Sequence, residues 1–227
     1  MARKKTAQRQ AATNHTSCKF RKIEEAQEAA DPQVHIYGEE IICDTDSRGY
    51  PTPGNMNPAE LVIHQSEGAI PLWAEDVTLR WRFQARSMEL FVDPAAAADE
   101  LRSLLGGAIL EWGDAAPVRF SESSDVWDFE ISIRENDRCR PNGCVLASAF
   151  FPDAGRHELV LYPRFLEQDR DSQISTLAHE LGHIFGLRHF FAQIRETEWP
   201  SEVFGTHSRF TIMNYGADSI MTETDRS

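Results

Sequence analysis

Hydrophobic and polar residues first alternate regularly at Val77, Leu79, Trp81 and Phe83, with Thr78, Arg80 and Arg82 between them. A period of two puts alternate side chains on one face, so the run predicts a half-buried strand. The period then lengthens. Leu101, Leu104, Leu105, Ala108, Ile109 and Trp112 recur at helical spacing, after Asp93-Pro94 as cap and first-turn proline and before Gly113 as terminator. Gly106-Gly107 inside this helix costs roughly 1 kcal/mol per glycine against alanine, which close packing on a sheet would explain. Four strand segments follow, at 118–121, 128–134, 144–151 and 158–162; Phe129, Ile131 and Ile133 alternate most clearly. A second helix begins near Asp171 and carries Ile174, Leu177, Ala178, Leu181 and Phe185. The order is strand, helix, four strands, helix, then an irregular end. Upstream, residues 31–70 read as irregular, because Gly49, Pro51, Pro53, Gly54 and Pro58 punctuate the stretch from Asp44 to Pro58.

The chain has 227 residues, of which 41% are hydrophobic and 26% charged. That is enough to bury one large core without disulfides. No run approaches about 18 consecutive apolar residues, so no membrane span is expected. The net charge of −13 is unevenly spread: residues 1–22 hold seven Lys/Arg and no Asp or Glu, leaving 16 basic against 36 acidic groups beyond them. An acidic body excludes general nucleic-acid binding. The charge step divides the chain into a basic leader over 1–30, too poor in apolar residues to order itself, an irregular segment over 31–70, and a folded body over 71–227. No apolar stretch follows the basic start, so a secretory signal is not expected. The expectation is an intracellular or non-classically exported protein, with organelle targeting open. Cys139 and Cys144 flank the turn-forming Arg140-Pro141-Asn142-Gly143, so a local disulfide and two reduced thiols are both open.

The second helix carries His179-Glu180-Leu181-Gly182-His183, followed by Gly186 and His189. Residues four apart lie about 40° apart around a helix and about 6 Å along it, so His179 and His183 can converge on one ion. His189 can join them only if the helix ends, and Gly186 supplies the positive backbone angle for that. Three histidine ligands leave a fourth position for water, the arrangement of a catalytic rather than a structural zinc. Glu180 is rotated off the bisector of the two helical ligands, where it can serve as general base and then acid.

This long motif resembles that of the metzincin zinc metallopeptidases. The resemblance covers residues 71–227 and implies an α/β (α+β) zincin fold: a twisted, mainly parallel five-stranded sheet with a backing helix and an active-site helix, then an irregular lower subdomain. Thr211-Ile212-Met213-Asn214-Tyr215-Gly216 is similar to the methionine turn of that group, with Met213 beneath the metal. Residues 145–152 and 112–120 most resemble the matrixin-like members. The resemblance implies that substrate binds as an extended strand along Val145, Leu146, Ala147, Ser148 and Ala149.

Departures are equally specific. Ser148 stands where matrixins carry a histidine, and Gly155-Arg156-His157-Glu158 replaces their acidic loop, so a second, structural zinc and calcium are unsupported. His157 is expected at a surface or strand end. Tyr215 is similar to a tyrosine of astacin-like and serralysin-like members and is a candidate fifth ligand or oxyanion donor. Matrixins silence their zymogens with a propeptide cysteine, but the sequence around Cys43 does not match that switch; a buried or disulfide-bonded cysteine is the expectation. Thr222 reads as the cap of a helix, and the expectation is that the C-terminal helix of the group is either missing here or cut short because the sequence is a fragment. Phe190, Phe191, Trp199, Phe204 and Phe210 lie where the group shapes its specificity pocket. The functional expectation is a zinc endopeptidase with one catalytic Zn2+ held by His179, His183 and His189. The alternative is a zinc-containing binding or inhibitory module without turnover.

Overall fold

A computed structural model of the chain describes residues 41–43, 61–64, 72–74, 76–141, 143–152, 157–189, 201–204, 211–214 and 220–226. In chain order the strands are β1 (Ile41–Ile42), β2 (Leu61–His64), β3 (Thr78–Phe83), β4 (Arg119–Glu122), β5 (Phe129–Ile133), β6 (Arg138–Arg140), β7 (Gly143–Val145), β8 (Ala147–Ser148), β9 (Glu158–Leu161) and β10 (Ser201–Phe204). The helices are α1 (Ala85–Met88), α2 (Pro94–Trp112), α3 (Pro163–Leu166), α4 (Arg170–Phe185) and α5 (Glu223–Arg226), with one 3₁₀ turn at Gly113–Ala115.

The main sheet has five strands in the order β4-β3-β5-β9-β8. Its β3–β4, β3–β5 and β5–β9 pairs are parallel, and the edge strand β8 is antiparallel to β9. This is the mostly parallel α/β architecture expected. The alternation along β3 is realised: Leu79 and Trp81 are buried, while Arg80 and Arg82 reach across to Asp128 and Glu130 on the other face. Helix α2 begins on Asp93, whose side chain accepts from the Ala96 N–H at 3.0 Å. It buries Leu101, Leu104, Leu105, Ala108 and Trp112. Among the described residues no helix is long and apolar enough to cross a membrane.

Several expectations change. Gly107 is not packed on the sheet: a Cβ there would lie 2.9 Å from Ile174 Cδ1, so the glycine lets α2 approach α4, and Gly106 faces open space. The single strand expected over 144–151 is broken at Leu146. Its first part, β7, belongs to a separate three-stranded sheet ordered β1-β7-β6, and its second part is β8. The break arises because β6 and β7 form a hairpin, with Cys139 opposite Cys144, while Leu146 turns its carbonyl to Tyr162 N–H at 2.9 Å. Cys139 and Cys144 are disulfide-bonded, which decides the open pairing. The segment 31–70 is not wholly irregular: β1 pairs in parallel with β7, and β2 pairs antiparallel with β10. Two-residue and partner-dependent strands carry too little periodicity to be read from a sequence. Helices α1 and α3 are single turns and escape notice for the same reason.

Candidate metal centre

The site is built on α4. Asp169 caps it by accepting from Ser172 N–H at 3.0 Å and Ser172 Oγ–H at 2.8 Å, and these bonds hold the Asp169 carboxyl below the usual carboxylate range. At the other end Gly186 takes φ 105°, with its N–H on the His183 carbonyl and the Leu187 N–H on the Gly182 carbonyl, each at 2.9 Å. That pair of bonds is the Schellman arrangement, which requires a residue tolerant of the left-handed region. The stop expected at Gly186 is therefore present, and it returns the chain so that His189 faces His179.

His179 Nε2 lies 3.1 Å from His183 Nε2 and 3.2 Å from His189 Nε2. Ligand nitrogens at about 2.0–2.1 Å from one tetrahedral ion would be about 3.3 Å apart, so the spacing matches the edge of a zinc site. The other nitrogens support that orientation. His179 Nδ1 lies 2.7 Å from the Ile212 carbonyl and His183 Nδ1 2.7 Å from the Leu187 carbonyl. Carbonyls only accept, so each Nδ1 carries the proton and each Nε2 presents its lone pair inward. All three rings are buried. Burial, then the neighbouring His179 and His189, push His183 well below the ordinary imidazole value, which favours the neutral, ligating form.

A fourth group completes the set. Cys43 Sγ lies 3.5 Å from His183 Nε2, and the four candidate ligand atoms of Cys43, His179, His183 and His189 all lie within 4.8 Å of one another. A tetrahedral ion with one thiolate at about 2.3 Å would put sulfur about 3.5 Å from a ligating nitrogen. The residues present therefore fit a zinc ion in both donor type and spacing. Cys43 is neither buried away from the site nor disulfide-bonded, contrary to expectation. In the sequence it stands out only as a cysteine upstream of the motif. What brings it here is β1, whose Ile41 and Ile42 register with Cys144 and Val145.

Cys43 Sγ also lies 3.4 Å from Glu180 Oε1 as a donor, while Glu180 Oε2 is buried with no hydrogen-bond partner among the described residues. Burial raises the Glu180 carboxyl to about 8, against lowering by the Cys43 contact and the Ala149 N–H. Met213 is fully buried, and a Cβ on Gly182 of α4 would lie 2.4 Å from Met213 Sδ. Two tryptophans that the motif does not include brace α4: Trp112 Nε1 donates to the Ala178 carbonyl at 2.8 Å and Trp73 Nε1 to the Ile184 carbonyl at 2.7 Å. The Ile184 carbonyl is among those a helix terminus leaves without an intrahelical partner.

The other expected residues are distributed unevenly. Val145, Leu146, Ala147, Ser148 and Ala149 are all buried, and Val145 is already paired on both sides, by Ile42 and by Arg138. Ser148 sits on the sheet-edge strand β8. His157 is exposed just before β9, its ring 5.3 Å from that of Phe150. Tyr215, Phe190, Phe191, Trp199 and Phe210 lie outside the described residues, as do the side chain of Phe204 and the leader.

No protein-family model matches the chain, and neither does any curated protein. Among solved structures, one of myroilysin matches at TM-score 0.50 and 13% identity, over 82% of this chain and 87% of that one. A second myroilysin crystal structure matches at TM-score 0.49 with the same identity and coverage. At that identity the likeness is one of fold: the chain shares the mixed α/β architecture of the first of these structures.

Proposed function

We propose that the chain is a zinc-dependent endopeptidase in a latent state that its own Cys43 maintains. His179, His183 and His189 hold the ion, and Glu180 is the general base and then acid. The observation that carries the reading is the position of Cys43 Sγ. It stands at the fourth corner of the histidine set and in contact with Glu180 Oε1, so the thiol would be the fourth residue to hold the ion and would keep water from Glu180. When bound, zinc supplies a Lewis acid that polarises a carbonyl and lowers the pKa of its water to about 7. Once Cys43 has left, Glu180 lies within reach of the nucleophile's proton, which it takes and passes to the departing amine. His179 and His183 are held by their Nδ1 bonds with lone pairs inward, and Met213 underlies them against Gly182.

The segment carrying Cys43 lies on β7 as a strand. With it displaced, β7 gains a free edge, and substrate takes an extended form along residues 145–149. Residues 31–70 are then an activation segment and residues 71–227 a metzincin-like catalytic domain. The matrixin-like assignment rests on the sequence of residues 145–152 and 112–120 alone. Tyr215 remains an oxyanion-donor candidate.

A second reading also has an observation behind it. Cys43 with three histidines is a closed four-ligand set, which is the form of a structural zinc. On that reading the chain binds zinc and a partner without turnover. The deciding experiment is zinc analysis and cleavage of an unfolded protein by wild type, Cys43→Ala and the double variant Cys43→Ala/Glu180→Gln. Zinc-dependent cleavage by Cys43→Ala, lost in the double variant, supports the peptidase. One zinc per chain with no cleavage by Cys43→Ala supports the binding module.

A further inference from the structure

We infer that Asp225, in the last turn of the chain, is a positioning residue for His179. This rests on the proposed role of His179 as a zinc ligand. Asp225 is buried although it lies on the four-residue helix α5. Its carboxylate accepts from the Thr222 N–H at 2.8 Å and Thr222 Oγ1–H at 2.7 Å, and Thr222 Oγ1 accepts from the Asp225 N–H at 3.3 Å. That reciprocal pair is a capping box, which fixes the carboxylate relative to its own helix.

The other donors come from beneath the metal centre. Asp225 accepts from Thr211 Oγ1–H, and from the Ile212 N–H at 3.2 Å. Thr211 Oγ1 in turn accepts from the Met213 N–H at 3.3 Å. That N–H belongs to the same peptide unit as the Ile212 carbonyl, and a peptide unit is planar. The Ile212 carbonyl receives the His179 Nδ1–H at 2.7 Å. The chain therefore runs carboxylate, hydroxyl, peptide plane, imidazole. Each bond orients the next, and its far end decides where His179 Nε2 points. A hydroxyl that donates to the carboxylate accepts from the peptide N–H with its lone pairs, so Asp225 also sets the direction of the Thr211 proton.

Helix α5 is tied to the body separately, through Arg226. Arg226 Nε donates to the Glu111 carbonyl at 3.0 Å, at the end of α2. This second tether allows general anchoring of the C-terminus to be distinguished from orientation of His179.

The test uses the full chain as wild type, Asp225→Asn, Thr211→Val, Thr211→Ser and Arg226→Ala. Zinc affinity is measured by competition with a chelator, and the His179 Nδ1–H by NMR in the metal-free chain. The expected result is a loss of zinc affinity of roughly 10–100-fold in Asp225→Asn and Thr211→Val, the usual effect of removing an outer-sphere partner. The Nδ1–H signal broadens or exchanges faster in both variants, while Thr211→Ser and Arg226→Ala behave as wild type. Wild-type affinity and an unchanged Nδ1–H signal in Asp225→Asn overturn the inference, as does an equal loss in Arg226→Ala. If Asp225→Asn fails to fold, Thr211→Val against Thr211→Ser decides on the same two readouts. A wild-type chain that takes up no zinc defeats the proposed function instead, and the His179 signal still decides the link to Asp225.

Discussion

Cys43 Sγ and Glu180 Oε1 lie 3.4 Å apart although 137 positions separate them in sequence. The contact couples the upstream segment to the proposed base. It also puts a soft sulfur donor at the fourth corner of the candidate ligand set.

Removal of the thiol should therefore release activity. Cys43→Ala in the full chain is expected to cleave a peptide library at least roughly tenfold faster than wild type, the factor that corresponds to about 1.4 kcal/mol of lost occupancy. Initial rates at matched zinc content measure this. Equal rates would show that Cys43 does not hold the site closed.

Glu180→Gln should lower kcat by roughly 10²–10⁴, the range for loss of a positioned acid–base group. Zinc content should stay at the wild-type level, because the ligand set does not include Glu180. The comparison belongs in the Cys43→Ala background. Cleavage at an undiminished rate would remove Glu180 from the mechanism.

A closely packed helical glycine and an open one should respond to alanine in opposite ways. Gly182→Ala drives a methyl to within 2.4 Å of Met213 Sδ, and overpacking of that kind costs about 1–3 kcal/mol, more than the helix propensity regained. Gly106→Ala meets open space and should stabilise by about 0.5–1 kcal/mol. Denaturant unfolding of both variants tests the contrast; stabilisation of Gly182→Ala would mean that Met213 does not seat there.

The Asp169 cap should show a defined pH dependence. Its folded pKa is depressed by the Ser172 bonds, so the unfolded chain protonates it first as pH falls. Its contribution is full above the unfolded value near pH 4 and is lost as pH drops through the lower folded value. Asp169→Ala should cost about 1 kcal/mol at pH 7 and progressively less below pH 4. A cost independent of pH would show that the capping interaction does not depend on the charge.

The parts of the protein that were legible in the sequence are those whose determinants are local. The alternation of Leu79 and Trp81 with Arg80 and Arg82 needs only one strand to be read. The histidines at 179 and 183 are one helical turn apart, and Gly186 ends that helix within three residues, so the ligand triad is written into a single short segment. The Thr222 cap is a local pattern of the same kind. Gly107 shows the limit: its cost was visible, but the neighbour that explains it, Ile174, lies on another helix.

By itself, then, the sequence determined the candidate ligand triad and the proposed base, because helix periods and glycine breaks act over a few residues, whereas the mainly parallel sheet was an implication of the family resemblance. The tertiary structure alone decided that Cys43 stands beside the three histidines, that Val145 already has partners on both sides and that Asp225 reaches the turn that accepts from His179. Those relationships depend on chain reversal and burial. A two-residue strand such as β1 is stabilised by β7 rather than by its own pattern, and a buried carboxylate such as Asp225 is explained only by the donors that the fold brings to it.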